Sequence, residues 1–235
     1  MKAIFFDVDD TLYDQLCPFK QAFEKNFIFN DIPVESLYIT SRKLSDEVFH
    51  LSESGQMDLQ TMHIYRIKKA LALFNKEISD KEAIAFQKDY QKFQGEIELF
   101  SDVVDTLNFC FEQEIVMGII TNGPMEHQKR KIQQLEIEKW IPKENIFISS
   151  EVELAKPDIR IFHLVETKLH LDKRQIYYVG DSFRNDIIGA KSAGWKAIWS
   201  NRRNHEKILG PIDADYIVTN QNKLLKIVHE IILQS

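Results

Sequence analysis

The sequence predicts an α/β protein: a doubly wound, Rossmann-like parallel sheet interrupted by an inserted all-α domain. Short apolar runs recur at 3–6, 115–120, 146–148, 175–179, 196–199 and 216–218. They are too short for helices and too continuously apolar for half-exposed strands, as expected of parallel strands covered on both faces. Helical patterns alternate with them from about residue 96 onward, which gives right-handed strand–helix–strand crossovers. Between 16 and 95 there is no strand-like run at all. The expected division is therefore an α/β core of 1–15 and 96–235 around a helical domain of 16–95.

The elements follow in order. Residues 3–6 form strand one. The helical stretch carries Phe19, Phe23 and Phe27, then patterns at 37–49, 59–74 and 81–93. Turn signals separate these at Asn30–Pro33, Ser52–Gly55 and Asn75–Asp80. Ser79 followed by Glu82 predicts a capping box. Ser101 and Asp102 are expected to cap a helix reaching about Glu112. Strand two ends at Thr121-Asn122-Gly123-Pro124, before a helix over 125–135. Strand three leads to a loop over 151–157 and a helix over 159–169, with Asp158 as its expected cap. Strand four ends at Gly180-Asp181-Ser182, before a helix over 185–193. Two further strands and a helix over 223–233 complete the chain.

Composition excludes several classes. With 235 residues, 44% hydrophobic, and only 8 Gly and 6 Pro, the chain is globular. Its 30 basic and 36 acidic residues give a net charge of −6, which argues against a nucleic-acid polymer as partner. Any phosphate site must then be made locally. No apolar run approaches ~18 residues, so no membrane span is expected. Strand one begins at once, leaving no room for a signal peptide. Cys17 and Cys110 form neither a disulfide framework nor a zinc pattern, which suits a reduced, cytoplasmic setting. Cys17 is expected to be a small buried residue. The expected state is a monomer or weak homodimer.

The chemistry gathers at strand ends. Asp7, Asp9, Asp10 and Thr11 follow strand one directly. Clustered carboxylates at a buried strand end raise one another's pKa, and a divalent cation is the usual relief. An EF-hand would place Gly and Glu where Leu12 and Pro18 stand, counting from Asp7. Thr121-Asn122, Lys156 and Asp181 with Asp186 lie after other strands of the same sheet, so they can converge with Asp7 and Asp9. For phosphoryl transfer, Asp7 would be the nucleophile. Asp9 would protonate the leaving oxygen and then activate water. Asp7 and Asp181 would hold Mg²⁺ by their side chains, and Asp9 by its carbonyl. Lys156, a flexible point charge, and Thr121 with the Asn122 N–H would bind phosphate oxygens.

These four segments resemble the motifs of the haloacid dehalogenase superfamily, in its phosphatase branch with a helical cap inserted after motif one. They read Asp7-Val8-Asp9-Asp10-Thr11, Thr121-Asn122-Gly123, Lys156-Pro157-Asp158 and Gly180 through Asp186. The resemblance implies a Mg²⁺-dependent phosphoric monoester hydrolase acting on a small phosphate ester, and places Asp186 by the metal or Lys156. True dehalogenases carry an aromatic residue where Asp9 stands, so phosphate chemistry is implied. Phosphosugar mutases share these motifs, and a non-catalytic phosphate- or metal-binding module would be expected to have lost one. Ser52–Gln56, Arg66 and Lys69 are similar to cap segments of nucleotidases acting on nucleoside monophosphates. Arg66 is the candidate substrate contact there, the competing reading being a solvated helix face.

Overall fold

The computed structural model describes residues 2–53, 56–219, 221 and 223–233. The chain divides into two compact units, Met1–Asp14 with Glu98–Ser235, and Gln15–Ile97.

Helices α1 (Leu16–Asn26), α2 (Val34–Glu53), α3 (Leu59–Leu73) and α4 (Asp80–Gln94) build the second unit. Phe19, Ala22 and Phe23 recur at helical spacing and bury one face of α1. Phe19 meets Phe86 and Tyr90 of α4 edge-on, with ring centroids 5.1 and 5.6 Å apart. Burying each such ring stabilises the unit by about 1.5–3 kcal/mol. The capping box at α4 forms as expected: Glu82 N donates to Ser79 Oγ at 3.3 Å, and Ser79 N to the Glu82 carboxylate at 2.7 Å. Cys17 corrects its expectation. It is exposed, because helical phase turns it away from the face that Phe19 and Phe23 bury. The turn signal at Ser52–Gly55 also begins late: α2 runs on through Glu53, and Ser54 and Gly55 lie outside the described residues.

The first unit is a six-stranded parallel sheet of β1 (Ala3–Phe6), β2 (Val116–Thr121), β3 (Ile146–Ile148), β4 (Ile176–Gly180), β5 (Lys196–Ser200) and β6 (Tyr216–Val218). All six apolar runs are strands. Helices α5 (Ser101–Glu112), α6 (Met125–Gln134), α7 (Ser149–Val152), α8 (Ile159–Leu169), α9 (Gly189–Ala193) and α10 (Leu224–Leu233) accompany them. The strand order is β3-β2-β1-β4-β5-β6. The chain steps outward from β1 to β3, then returns to lay β4 on the other side of β1. That reversal opens a crevice at the carboxyl ends of β1 and β4, where ligands of such sheets bind. Phe6 lies level with Ile119 of β2 and Val179 of β4, so Asp7, Thr121 and Asp181 leave adjacent strand ends. A core of Phe5, Phe162, Tyr178 and Trp195 holds this register.

Three local readings change. Part of the expected 151–157 loop is the short helix α7. The helix expected over 185–193 opens with a π-helical turn, Phe183–Ile188. Asp102 does not cap α5; its carboxylate accepts from Arg202 at 2.9 Å and from Leu224 N at 3.2 Å, joining α5 to the distant loop after β5 and to α10. Asp158 does cap α8, accepting from Arg160 N at 2.9 Å. Trp195 and Trp199 are buried, while Trp140 is half-buried and donates to Asn108. No helix among the described residues is long and apolar enough to cross a membrane.

Candidate active site

Asp7 is the first residue beyond β1. Its N–H donates to Val179 O at 2.9 Å, so its backbone is fastened to the end of β4. Its carboxylate is 2.8 Å from Lys156 Nζ. Lys156 also lies 2.7 Å from Asp186 and donates to the Tyr178 hydroxyl at 2.6 Å. The Lys156 side chain is only 2% exposed. It is thus hydrogen-bonded to Asp7 and Tyr178 and ion-paired with Asp186, held in the interior where a flexible point charge was expected.

Oxygens of Asp7, Asp181 and Asp186 lie within 4.8 Å of one another. The electrostatics follow from burial. Desolvation pushes the Asp7 carboxyl up to about 6, with Lys156 pulling down and Asp186 and Asp9 pushing further up. Asp181 is held well above the usual carboxylate range by burial, and then by Asp186, Asp7 and Asp10. Burial works against the Lys156 charge, but Asp186 and Asp7 outweigh it and hold the ammonium well above the usual lysine range. No described residue donates a hydrogen bond to the Asp181 carboxylate. Asp181 also borders a cleft of about 270 Å³, shared with Asp10, Ser200 and Arg203.

The π-helical turn is what brings Asp186 inward. Ser182 N donates to Asp186 Oδ2 at 2.9 Å, and Ser182 Oγ accepts from Asn185 N at 3.2 Å. Gly180 makes room for it: a Cβ there would stand 2.4 Å from the Asp186 carboxylate. Replacing Gly180 with Ala should therefore cost about 1–3 kcal/mol through overpacking and displace Asp186. Urea denaturation of the metal-free protein would measure it, and an unchanged midpoint would contradict the close approach.

Asp9 is held differently. Both its oxygens face Lys131 Nζ, at 2.6 and 2.7 Å, and Tyr13 and Gln128 donate to it at 2.5 and 3.1 Å. Burial opposes its charge, but Lys131 prevails and keeps Asp9 below the usual carboxylate range. Asp7 and Asp9 therefore do not share a partner, because the strand ends at Phe6 and the chain turns immediately, with Leu12 N bonded to Val8 O. Asp10 takes a left-handed conformation (φ 53°) and is paired with Arg203 at 2.7 Å. Its left-handed backbone shapes the turn.

The Thr121 hydroxyl is 1% exposed and lacks a hydrogen-bond partner among the described residues. A buried hydroxyl in that state suits an incoming phosphate oxygen. The Asn122 side chain exchanges two bonds with the Lys156 backbone, donating to its O at 2.8 Å and accepting from its N at 2.9 Å. Asn122 thus positions Lys156, a role its sequence context did not suggest.

Lys131, Gln128 and Tyr178 were not legible as site residues. Tyr178 read as one more apolar strand residue, yet its hydroxyl donates to Ile120 O at 2.6 Å and accepts from Lys156. The spacing of Gln128 and Lys131 on the helix after Thr121-Asn122 is the signal that could have found those two, since residues three apart share a helix face.

In the helical unit, Arg66 is not on a solvated face. It is 9% exposed, donates to Gln87 at 2.8 Å and lies over the Tyr90 ring at 5.8 Å. Lys69 is exposed. Burial, with Arg66 adding, pushes the nearby His63 down to about 4, so it is neutral at physiological pH. Of the suggested contact segment 52–56, Ser52 and Glu53 end α2.

A parallel sheet with a carboxylate cluster, a buried lysine and a free threonine hydroxyl at its switch point is an arrangement suited to phosphoryl transfer. The family model of haloacid dehalogenase-like hydrolases matches residues 1–194. The chain belongs to that family, and it is a phosphoric monoester hydrolase. It is 28% identical over 199 residues to the glyceraldehyde 3-phosphate phosphatase of Pyrococcus abyssi, covering 85% of this chain and 81% of that protein. It is 25% identical over 234 residues to the phosphoglycolate phosphatase of Salmonella typhi, covering 96% and 91%. In fold it matches the HAD-hydrolase YfnB of Bacillus subtilis with a TM-score of 0.69, at 23% identity and 98% coverage of both chains.

Proposed function

We propose that the protein is a Mg²⁺-dependent phosphatase that hydrolyses a small phosphorylated metabolite through an aspartyl-phosphate on Asp7. The convergence of Asp7, Asp181 and Asp186 within 4.8 Å, beside the buried Lys156, supports it most directly. Two buried carboxylates and a half-buried third, with one lysine, are over-acidic without a further cation. The all-oxygen donor set fits a hard ion such as Mg²⁺ rather than zinc. Asp7 and Asp181 would hold it by their side chains and Asp9 by its carbonyl, with Asp186 alongside. Bound there, the cation supplies positive charge that lets two anions approach.

The chain's own residues do the rest. An Asp7 oxygen attacks phosphorus as the bond to the leaving oxygen breaks, and that oxygen takes a proton from Asp9, which is ionised at rest beside Lys131 and takes that proton up from solvent as the anionic substrate binds. Water then attacks the phosphorus of the aspartyl-phosphate, giving its proton to Asp9 and restoring Asp7 as phosphate leaves. Lys156 keeps the nucleophile in place, and the Thr121 hydroxyl and Asn122 N–H bind phosphate oxygens. The Gln15–Ile97 unit is the candidate source of substrate choice, with Arg66 as its candidate residue. The names of the relatives favour a two- or three-carbon phosphorylated acid or sugar as substrate, and nucleoside monophosphates are the competing class. A cytoplasmic monomer or weak dimer completes the reading.

Phosphate release from 2-phosphoglycolate, triose phosphates, nucleoside monophosphates and p-nitrophenyl phosphate, with Mg²⁺ and with chelator, tests this. Metal-dependent release supports it, and no release from any ester by the folded protein would overturn it.

Binding should also show a pH signature. Without metal, folded Asp7 keeps its proton to about pH 6, whereas the unfolded carboxyl loses it near 3.8. The folded state binds more protons in that window, so this contribution to stability falls as pH rises through it. A cation competing for the same carboxylates should therefore stabilise more at pH 7.5 than at pH 5. Saturating Mg²⁺ should raise Tm by about 3–8 °C at pH 7.5 and less at pH 5. An equal shift at both values would count against the carboxylate site.

A further inference from the structure

Lys131 stands outside the four sequence motifs, yet among the described residues its ammonium spends all of its polar contacts on Asp9, at 2.6 and 2.7 Å. Its side chain is only 8% exposed. Burying a lysine head is costly and is not needed to dock α6, which Ile132 already anchors in the core. Gln128, one turn earlier on the same helix face, also donates to Asp9, and its amide is tied to Asn122 O at 3.0 Å. The Asp9 carboxyl is thus gripped from a helix that itself hangs on the end of β2.

We propose that Lys131 is a positioning residue, which fixes the plane and rotamer of the Asp9 carboxyl for proton transfer to the leaving oxygen. The proposal rests on the phosphatase reading, in which that oxygen takes the Asp9 proton as its bond to phosphorus breaks and the Asp7–phosphorus bond forms. Misplacing a general acid matters in proportion to how badly the leaving group needs a proton. An alkoxide needs it greatly, and a nitrophenolate hardly at all.

The test compares kcat/KM, which covers the steps through phosphoryl transfer to Asp7, on an alkyl phosphate and on p-nitrophenyl phosphate. Lys131→Met should lower kcat/KM on the alkyl ester by about 100-fold and on the aryl ester by less than about 3-fold. Lys131→Arg, which can still grip both oxygens, should regain most of the alkyl activity. Should Lys131→Met not fold by circular dichroism, Lys131→Gln is read for the same split. Equal losses on both esters, no loss on either, or an arginine variant no better than the methionine one would overturn the role. Failure of the phosphatase reading is distinguishable, because the wild-type protein would then turn over neither ester.

Discussion

Asp7→Asn should abolish turnover, with kcat falling on the order of 10⁴-fold or more, while the fold survives. The amide keeps the volume of the carboxylate but has no lone pair fit to attack phosphorus. Its loss leaves Lys156 paired with Asp186 and Tyr178, so no buried charge is orphaned. It also removes one of three crowded carboxylates, so the metal-free variant should melt at the wild-type temperature or slightly above. Rapid acid quench with labelled substrate gives a second readout: wild-type protein should carry label that hydroxylamine releases, and the variant none. Retained turnover in Asp7→Asn would remove Asp7 as the nucleophile.

Lys156→Met should have the opposite balance, losing both activity and stability. The side chain is 2% exposed and faces Asp7 at 2.8 Å and Asp186 at 2.7 Å. Removing one partner of a buried ion pair leaves an uncompensated charge, at a cost of about 3–5 kcal/mol. Here two carboxylates would be left together, with Asp181 a third. The penalty should be greatest where all three must ionise. Asp7, already raised to about 6 with Lys156 present, would rise further without it, so protonation rescues the variant as pH falls. Urea denaturation of metal-free protein should therefore show a larger gap between wild type and variant at pH 7.5 than at pH 5. A gap independent of pH would mean that Lys156 stabilises by packing, not by charge.

Asp7 and Lys156 were both legible in the sequence as chemistry-bearing residues, but what they do to each other was not. Their hydrogen bond spans 149 positions. It depends on β1 and β2 lying side by side and on Asn122 holding the Lys156 backbone. Lys156 therefore appeared in isolation as a mobile charge, and in place it is held by Asp7, Tyr178 and Asp186. Cys17 and Asp102 show the same limit at smaller scale. A thiol near a helix start and an acid in a first helical turn have default local readings, but helical phase exposes Cys17, and Arg202 with Leu224 N takes the Asp102 carboxylate.

The sequence by itself determined the six strands, the alternation that makes their sheet parallel, the helical stretch after strand one, and the acidic residues at the strand ends. These are local signals: apolar runs and breaker residues act over a few positions, and a carboxylate beyond a buried strand is marked by its immediate neighbours. Only the tertiary structure decided the company those residues keep. Lys131 meets Asp9 across 122 positions, and Tyr178 seats its hydroxyl between Ile120 and Lys156. The π-helical turn with Gly180 lets Asp186 in. Each depends on strand order, helix phase and the exclusion of water from a crowded interior, which come into being only when distant segments pack.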